Sequence, residues 1–456
     1  MTFLRLTRPF LASLAVLAAA TAPATTHAAD SGTACGLTAR HAEEATALVQ
    51  ALVARGHAPG AVLDLRCNGQ PWLQRAVGLA DLARQRPQRQ DDLFRIYSMS
   101  KPITSVLVLM LAEEGRLSLD DPVARHLPEF AAFSIHDGSA DMPPRGRAPE
   151  RPLTVRDLLR HSAGISYTSA LPDPVHRQYV ARGIDNGVGS VVVPGDGSAA
   201  VDTLLELSRR IAAIAALHAP GARFSYGNST DVLGRLVEAV TGQRLRDALR
   251  ERLLQPLAMA DTAFEVPAAQ SHRLTAAYAA ASAVPSDGGV LRGGAVQALP
   301  ASTFHLADDP QKSVFARPRL IDFGGAGLLS TAADYQRFLA LLLNRGEVQS
   351  HRLLRRDTVA AMTTNQLDVN ALAASPSLQR QGLGFGLGVA TFAEPARAPG
   401  AVPLDGYFWG GAASTYFWVD PARGITGVLM AQVFGGDVAP YYVQLLDLLQ
   451  RPAPAR

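Results

Sequence analysis

Residues 93–117 read LFRIYSMSKPITSVLVLMLAEEGRL, with a serine and a lysine three positions apart ahead of a long apolar run. Pro102 suits the first turn of a helix that Gly115 would end. Side chains three apart lie on one helix face, so Ser98 and Lys101 should meet. The run 106–111 is apolar on every side, which indicates a buried helix, and burial disfavours the charged form of an amine. The pattern therefore predicts a serine nucleophile beside a lysine base, against the alternative of an ordinary surface pair at a helix start.

The lysine is unusual in this chain. Of 43 basic residues only Lys101 and Lys312 are lysines, and the remainder are arginines. The 456 residues are 48% hydrophobic and 18% charged, which is enough apolar material for one large or two medium cores. This composition excludes a disordered chain, a collagen-like repeat and a small disulfide scaffold.

The first 28 residues have the pattern of a secretory signal peptide. Arg5 and Arg8 precede an apolar run at about 10–20, and small residues lead to a cleavage site expected after Ala28. A membrane anchor is the alternative, but the run is shorter than the roughly 20 residues that a spanning helix needs. We expect a periplasmic or secreted protein without a later membrane span.

Removing residues 1–28 lowers the formal charge from +3 to +1, and no basic cluster indicates nucleic-acid binding.

The order of predicted elements indicates an α/β (α+β) protein. A helix at 37–55 and strands at 60–67 and 71–78 precede a long, largely helical stretch. GLGFGLGVATF, DGYFWGG, ASTYFWVD and ITGVLMAQV then read as successive antiparallel strands before a closing helix. We predict one antiparallel sheet, flanked by helices and built from both chain ends, over residues 29–100 and 321–456. A mainly helical domain with long loops, 101–320, is inserted between them.

Cys35 and Cys67 are the only cysteines. A helix over 37–55 would travel about 28 Å and eight strand residues would return about 26 Å, which brings the sulfurs near each other. An exported protein could pair them, so we predict a disulfide, with two free thiols as the alternative.

A second motif precedes another helix. Tyr226, Gly227 and Asn228 form Tyr-x-Asn ahead of apolar residues at helical spacing. The tyrosine could exchange a proton with a leaving group, and the amide could orient a substrate carbonyl or the lysine. The alternative is loop chemistry, with Asn228 as a helix N-cap and Tyr226 as packing.

With these two motifs the chain resembles the serine β-lactamase and penicillin-binding-protein family. Ser98-Met99-Ser100-Lys101 is similar to the first family motif, and Tyr226-Gly227-Asn228 to the class C form of the second. Other segments that resemble the family are LLRHSAGI, PGARFSYGN, PLAMADTAF, GGAGLLSTAADYQRFLALLLN and FWVDPARG. The resemblance covers most of residues 40–440, and within the class C-like branch it is to the bacterial β-lactamase-fold (family VIII) carboxylesterases.

The third family motif differs. Where lactamases and peptidases carry Lys-Thr-Gly, this chain has Trp409-Gly410-Gly411. The motif's lysine helps to hold the substrate carboxylate of penicillins and peptidoglycan stems, whereas an indole offers one N–H and an apolar wall. The change favours esters as substrates. A core aromatic at Trp409 is the alternative, and it would leave the substrate open.

The resemblance implies acyl transfer through an acyl-enzyme. Lys101, with Tyr226, would take the proton of Ser98, and the sequence leaves open which of the two is the principal base. The N–H groups of Ser98 and Ala412 would hold the oxyanion, and Gly410 and Gly411 would permit the close approach.

The expected function is therefore an exported serine hydrolase of small-molecule esters. A β-lactamase or D-amino-acid peptidase, acting on a β-lactam or a D-alanyl peptide, is one alternative, and a non-catalytic protein that binds cell-wall fragments is another. We expect no cofactor, and no metal, because no histidines stand at ligand spacing. His161 is expected to fix the backbone, and no motif indicates the oligomeric state.

Overall fold

The computed structural model describes residues 35–139, 145–167, 174–184, 201–280, 304–318, 321–394 and 405–451. The predicted signal peptide, residues 1–28, lies outside the described residues. Among those described, no helix combines the length and the apolar character needed to cross a membrane.

The helices of the described residues are α1 Ala39–Ala54, α2 Ser100–Glu113, α3 Val123–His126, α4 Val155–Leu159, α5 Pro174–Ala181, α6 Leu204–Ala212, α7 Ser229–Thr241, α8 Leu245–Leu249, α9 Ala332–Leu343, α10 Arg356–Thr363, α11 Val369–Ala373, α12 Pro376–Gln379 and α13 Ala439–Gln450. The strands are β1 Gly60–Cys67, β2 Gln70–Asp81, β3 Arg86–Pro87, β4 Phe94–Arg95, β5 Ile135–His136, β6 Gly146–Arg147, β7 Ala277–Ala280, β8 Phe304–Asp308, β9 Leu329–Ser330, β10 Glu347–Val348, β11 His351–Arg352, β12 Leu383–Phe385, β13 Ala390–Phe392, β14 Tyr407–Gly411, β15 Thr415–Asp420, β16 Ile425–Met430 and β17 Val433–Phe434.

The main sheet is antiparallel and joins both chain ends, as predicted. Its strand order is β12-β13-β14-β15-β16-β1-β2-β3, so the late strand β16 pairs with the early strand β1. The predicted strand GLGFGLGVATF is two strands, β12 and β13, because Gly388 adopts φ +106° in the turn between them. This segment therefore contributes two antiparallel strands where one was predicted.

Helices cover both faces of this sheet, and β15 shows why. Alternate strand residues point to opposite faces. On one face Tyr416 stacks on Tyr442 of α13 at 4.8 Å between ring centroids, and Trp418 meets the same ring at 5.5 Å. On the other face Phe417 lies 5.3 Å from Tyr335 of α9. The sheet is therefore the middle layer of a three-layer structure.

The middle of the chain is mainly helical, and α2 is its buried axis. Every residue from Ser100 to Leu111 is buried, in agreement with the apolar run, and α2 packs against α7. The strands β7 and β8, which pair with each other while β7 also pairs with β17, were not predicted. The sequence of β7 is AYAA, and alanine is a weak strand former, so its pattern gave no indication of a strand. The domain boundaries remain a prediction.

A disulfide joins Cys35 to Cys67, with the two Cα atoms 6.0 Å apart. It connects the segment before α1 to the end of β1, which is the return path expected from the helix and strand lengths. The Cys35 carbonyl also accepts a hydrogen bond of 2.8 Å from the Arg423 guanidinium. The N-terminal segment is thus held to the sheet at two points.

Replacing both cysteines by serine should lower the free energy of unfolding by about 3 kcal/mol, because the bond closes a loop across a sequence separation of 32. Urea denaturation of the mature protein, with and without reductant, measures this. Reductant should destabilise the wild type and leave the double variant unchanged. Equal unfolding free energies for the two proteins would contradict the prediction.

Candidate active site

Ser98 and Lys101 meet at the start of α2. Residues Tyr97–Met99 form a 3-10 turn that continues directly into α2, so the two side chains share one face. Lys101 Nζ lies 3.1 Å from Ser98 Oγ, within hydrogen-bond distance. The preceding residue, Tyr97, is fully buried with φ +43°, a conformation that costs a bulky residue energy. Such a strained residue beside a candidate nucleophile indicates that the surrounding packing fixes the turn.

The Lys101 amine is surrounded by acceptors. Its side chain is completely buried, and besides Ser98 it donates to the Tyr167 hydroxyl at 2.8 Å and to the Gly325 carbonyl at 2.8 Å. An ammonium group has three protons, so these three partners satisfy it fully. When Lys101 loses a proton to become a base, its lone pair faces Ser98 or Tyr167, because the Gly325 carbonyl can only accept and therefore retains an N–H donor.

Tyr226 presents its ring, rather than its hydroxyl, to the lysine. The ring centroid lies 4.7 Å from Lys101 Nζ, a cation–π distance. Within the described residues the buried Tyr226 hydroxyl has no hydrogen-bond partner. The ring also meets Tyr167 at 5.4 Å and Trp409 at 5.3 Å between centroids. The structure therefore brings Tyr226 to the Ser98–Lys101 pair but does not join its hydroxyl to Lys101.

Asn228 occupies the N-cap position of α7, but its side chain makes no capping hydrogen bond. Instead its Nδ2 donates to the Asp231 carboxylate at 3.3 Å. Its Oδ1 atom is buried and has no partner among the described residues. The alternative prediction, that the Asn228 side chain caps the helix, is therefore wrong.

The third motif lies on β14, and Gly411 lets this strand reach the nucleophile turn. A Cβ on Gly411 would collide with the Ile96 carbonyl, and one on Gly410 would lie 2.9 Å from the Tyr416 ring. The Thr415 hydroxyl donates to the same Ile96 carbonyl at 3.4 Å. Ala412 follows in the exposed turn between β14 and β15. The end of β14 thus packs against Ile96, which lies two residues before Ser98.

Trp409 on β14 is 3% exposed, as a core aromatic would be, yet its indole lies against the site. It meets Tyr226 and, at 5.1 Å between centroids, Phe385 of β12. Its indole N–H has no acceptor among the described residues. Trp409 therefore forms an apolar wall with one available donor beside Tyr226.

Three residues of this site were not predicted from the sequence. Tyr167 and Gly325 supply acceptors to Lys101, and Asp231 holds both Asn228 and the Gly325 N–H. Tyr167 follows LLRHSAGI, and Gly325 lies in GGAGLLSTAADYQRFLALLLN, two segments recognised only as family-like. Asp231 stands in the first turn of α7, where an acidic residue is ordinarily explained by the helix dipole.

His161 supports Tyr226 from behind. Its carbonyl accepts the Ser225 N–H at 2.7 Å, and its ring lies 5.0 Å from the Tyr226 ring. Burial, and secondarily the charge of Lys101, hold the pKa of His161 well below its usual range. The backbone there has φ +53°. His161 therefore acts as a neutral packing residue that fixes the chain before the second motif.

Among the described residues, no group of histidine, cysteine and acidic side chains is arranged to hold a metal ion.

Comparisons with known proteins bear on the family and the fold of this chain. The family model described as Beta-lactamase matches residues 45–449. Esterase EstB of Burkholderia gladioli is 32% identical over 390 residues, covering 85% of this chain and 90% of EstB. Lovastatin esterase of Penicillium rubens is 27% identical over 396 residues, covering 83% of this chain and 90% of that protein. The solved structure of EstCE1, described as a hydrolase with promiscuous acyltransferase activity, has a TM-score of 0.72 and 26% identity, covering 90% of this chain and 98% of EstCE1.

Replacing His161 by asparagine, which tolerates positive φ, should reduce the loss of stability in acid. Below about pH 6.5 the unfolded chain binds a proton at this histidine and the folded chain does not, so falling pH favours unfolding. We expect the melting temperature of the wild type to fall more between pH 7 and pH 5 than that of His161→Asn. The exposed His351→Asn serves as the control and should keep the wild-type slope. Equal slopes for His161→Asn and the wild type would contradict the prediction.

Proposed function

Because this chain belongs to the β-lactamase family and is a serine hydrolase of that fold, we propose that it is an exported esterase acting through an acyl-enzyme on Ser98. The observation that carries the proposal is the hydrogen bond between Ser98 and the buried Lys101 beside Trp409. A hydroxyl held against a buried amine is the arrangement that nucleophilic catalysis needs.

In the first step Lys101, as a neutral amine, accepts the Ser98 proton while Oγ bonds to the ester carbonyl carbon. The tetrahedral intermediate collapses by breaking the bond to the alcohol oxygen, which takes up a proton as it leaves. Tyr226, whose hydroxyl has no partner among the described residues, supplies that proton. Water then attacks the acyl carbon and gives a proton to the Tyr226 phenolate. The bond from the acyl carbon to Ser98 Oγ breaks, and Oγ takes its proton back from Lys101, which releases the acid and restores all three side chains. The 3.1 Å contact supports Lys101 as the principal base.

The oxyanion is held by backbone N–H groups. Ser98 lies in the first turn of its helix, where N–H groups have no intrahelical acceptor and point toward incoming negative charge. Ala412 follows the glycines that bring β14 against residue 96, so its N–H is the second donor. The Thr415 hydroxyl, three residues after Ala412, donates to the Ile96 carbonyl, two residues before Ser98, and this bond holds the two segments together.

Three observations support carboxylic esters as substrates. Trp409 stands where Lys-Thr-Gly relatives carry a cation for the substrate carboxylate. The one other lysine of the chain, Lys312, is exposed on the segment after β8. Two relatives similar over most of the chain are named as esterases. An apolar wall beside the nucleophile suits an uncharged acyl or alcohol group.

Export is supported by the N-terminal pattern of residues 1–28 and by the disulfide, since such bonds persist in oxidising compartments. The mature protein would therefore act in the periplasm or outside the cell.

The test is hydrolysis of a short-chain chromogenic ester and of a cephalosporin by the wild type, Ser98→Ala and Lys101→Arg. The wild type should cleave the ester and leave the cephalosporin intact. Both variants should lose ester turnover by about 10³-fold or more, because an always-charged guanidinium cannot accept the serine proton.

Lys312→Arg is the matched control, since it makes the same change at an exposed site, and it should retain the wild-type rate. Unchanged turnover in Ser98→Ala, or full activity in Lys101→Arg, would refute the mechanism. Opening of the cephalosporin without ester hydrolysis would replace the esterase by a β-lactamase.

A further inference from the structure

Asp231 is a buried carboxylate within the site that the proposed chemistry leaves without a role. Its side chain is 1% exposed. Among the described residues it forms no ion pair with an arginine or lysine within 4 Å, and its two oxygens accept separate hydrogen bonds. Oδ1 accepts the Gly325 N–H at 2.9 Å, and Oδ2 accepts from Asn228 Nδ2 at 3.3 Å. A buried charge without an ion partner is costly, so a role is expected for it.

Gly325 connects this carboxylate to Lys101. The N–H of Gly325 bonds to Asp231, and the carbonyl of the same residue accepts from Lys101 Nζ at 2.8 Å. A Cβ at this position would lie 3.1 Å from Asp231 Oδ2 and 3.3 Å from Oδ1. Glycine therefore lets the carboxylate approach the backbone closely, and the position of the Lys101 acceptor depends on Asp231.

The peptide group that donates its N–H to Asp231 is also held at its carbonyl end, by an uncharged partner. The Thr104 hydroxyl of α2 donates to the Gly324 carbonyl at 2.8 Å. Residues 324 and 325 are thus clamped between α2, which carries Lys101, and α7, which carries Asp231. Only the clamp on residue 325 includes a charged group.

Asp231 also fixes the amide of Asn228. A carboxylate can only accept, so it turns Nδ2 toward itself and leaves Oδ1 facing away. That oxygen is the buried acceptor of the second motif for which the described part of the chain supplies no donor. An amide at position 231 would accept either orientation of Asn228 and would remove this constraint.

The charges of Asp231 and Lys101 influence each other. Burial raises the pKa of Asp231, and the positive charge of Lys101 opposes that rise. The polar and titratable groups facing Lys101 in the described part of the chain are Ser98, His161, Tyr167, Tyr226 and Asp231. Asp231 is the carboxylate among them, so it is the group that favours the protonated amine electrostatically.

We propose that Asp231 is a positioning residue of the Ser98 reaction, which holds Gly325 against Lys101, orients Asn228 and sets the charge balance around the amine. The inference rests on the proposed function, since its readout is ester hydrolysis. Through these contacts Asp231 of α7 affects the reaction at Ser98, which lies in the turn before α2.

The experiment measures kcat and KM for a chromogenic ester across pH in Asp231→Asn, with folding checked by cooperative melting. We expect kcat to fall by about 10- to 100-fold with little change in KM, because the lysine and the amide lose their alignment. The acidic limb of the pH profile should also move to lower pH, because the protonated amine loses its favourable partner. Thr104→Val, which removes the neutral clamp, should lower the melting temperature and leave that limb in place.

Wild-type kcat and an unmoved acidic limb in folded Asp231→Asn would overturn the inference. Should that variant fail to fold, Gly325→Ala tests the same contact from the other side, because its Cβ displaces the carboxylate. It should also lower kcat, and wild-type behaviour would overturn the inference equally. Ser98→Ala in the same assay separates the two claims: if it is active, the proposed function fails, and if it is inactive while both other variants behave as wild type, only the role of Asp231 fails.

Discussion

Lys101 brings an amine into a fully buried position, and the surrounding elements supply what that amine requires. Its three partners come from three places: Ser98 from the turn that leads into the helix, Tyr167 from a loop 66 residues away and the Gly325 carbonyl from a segment 224 residues away. An unsatisfied buried ammonium would cost several kcal/mol, so the helical region must close around it. The burial of α2, which follows from its apolar sequence, thus creates both the constraint and the reactive group.

The sheet contributes the other side of the site. Strand β14 of the late part of the chain reaches the nucleophile turn, and this approach depends on the absence of a side chain at Gly411. The aromatic cluster of Tyr226, Trp409 and Phe385 then connects the helical region to the sheet. The candidate nucleophile lies in the turn before α2 and the aromatic wall on β14, and the close packing of Gly411 against Ile96 holds these two elements together.

The sequence predicted the parts of this site that depend on local spacing. Ser98 and Lys101 could be paired because a helix places residues three apart on one face, and the family resemblance, now confirmed, linked them to the second and third motifs. Tyr167, Asp231 and Gly325 were missed because their roles arise from contacts distant in sequence. The hairpin within GLGFGLGVATF was read as one strand, since the left-handed turn at Gly388 leaves no trace in the alternation of residues.

The central claim is that Ser98 is the nucleophile, and covalent capture tests it most directly. The mature protein is treated with a fluorophosphonate, its intact mass is measured, and the modified peptide is sequenced by mass spectrometry. The account predicts one phosphonyl group per chain, located on Ser98, and loss of ester hydrolysis in proportion to labelling. An unmodified protein that still hydrolyses esters, or a label on another residue with Ser98 free, would contradict it.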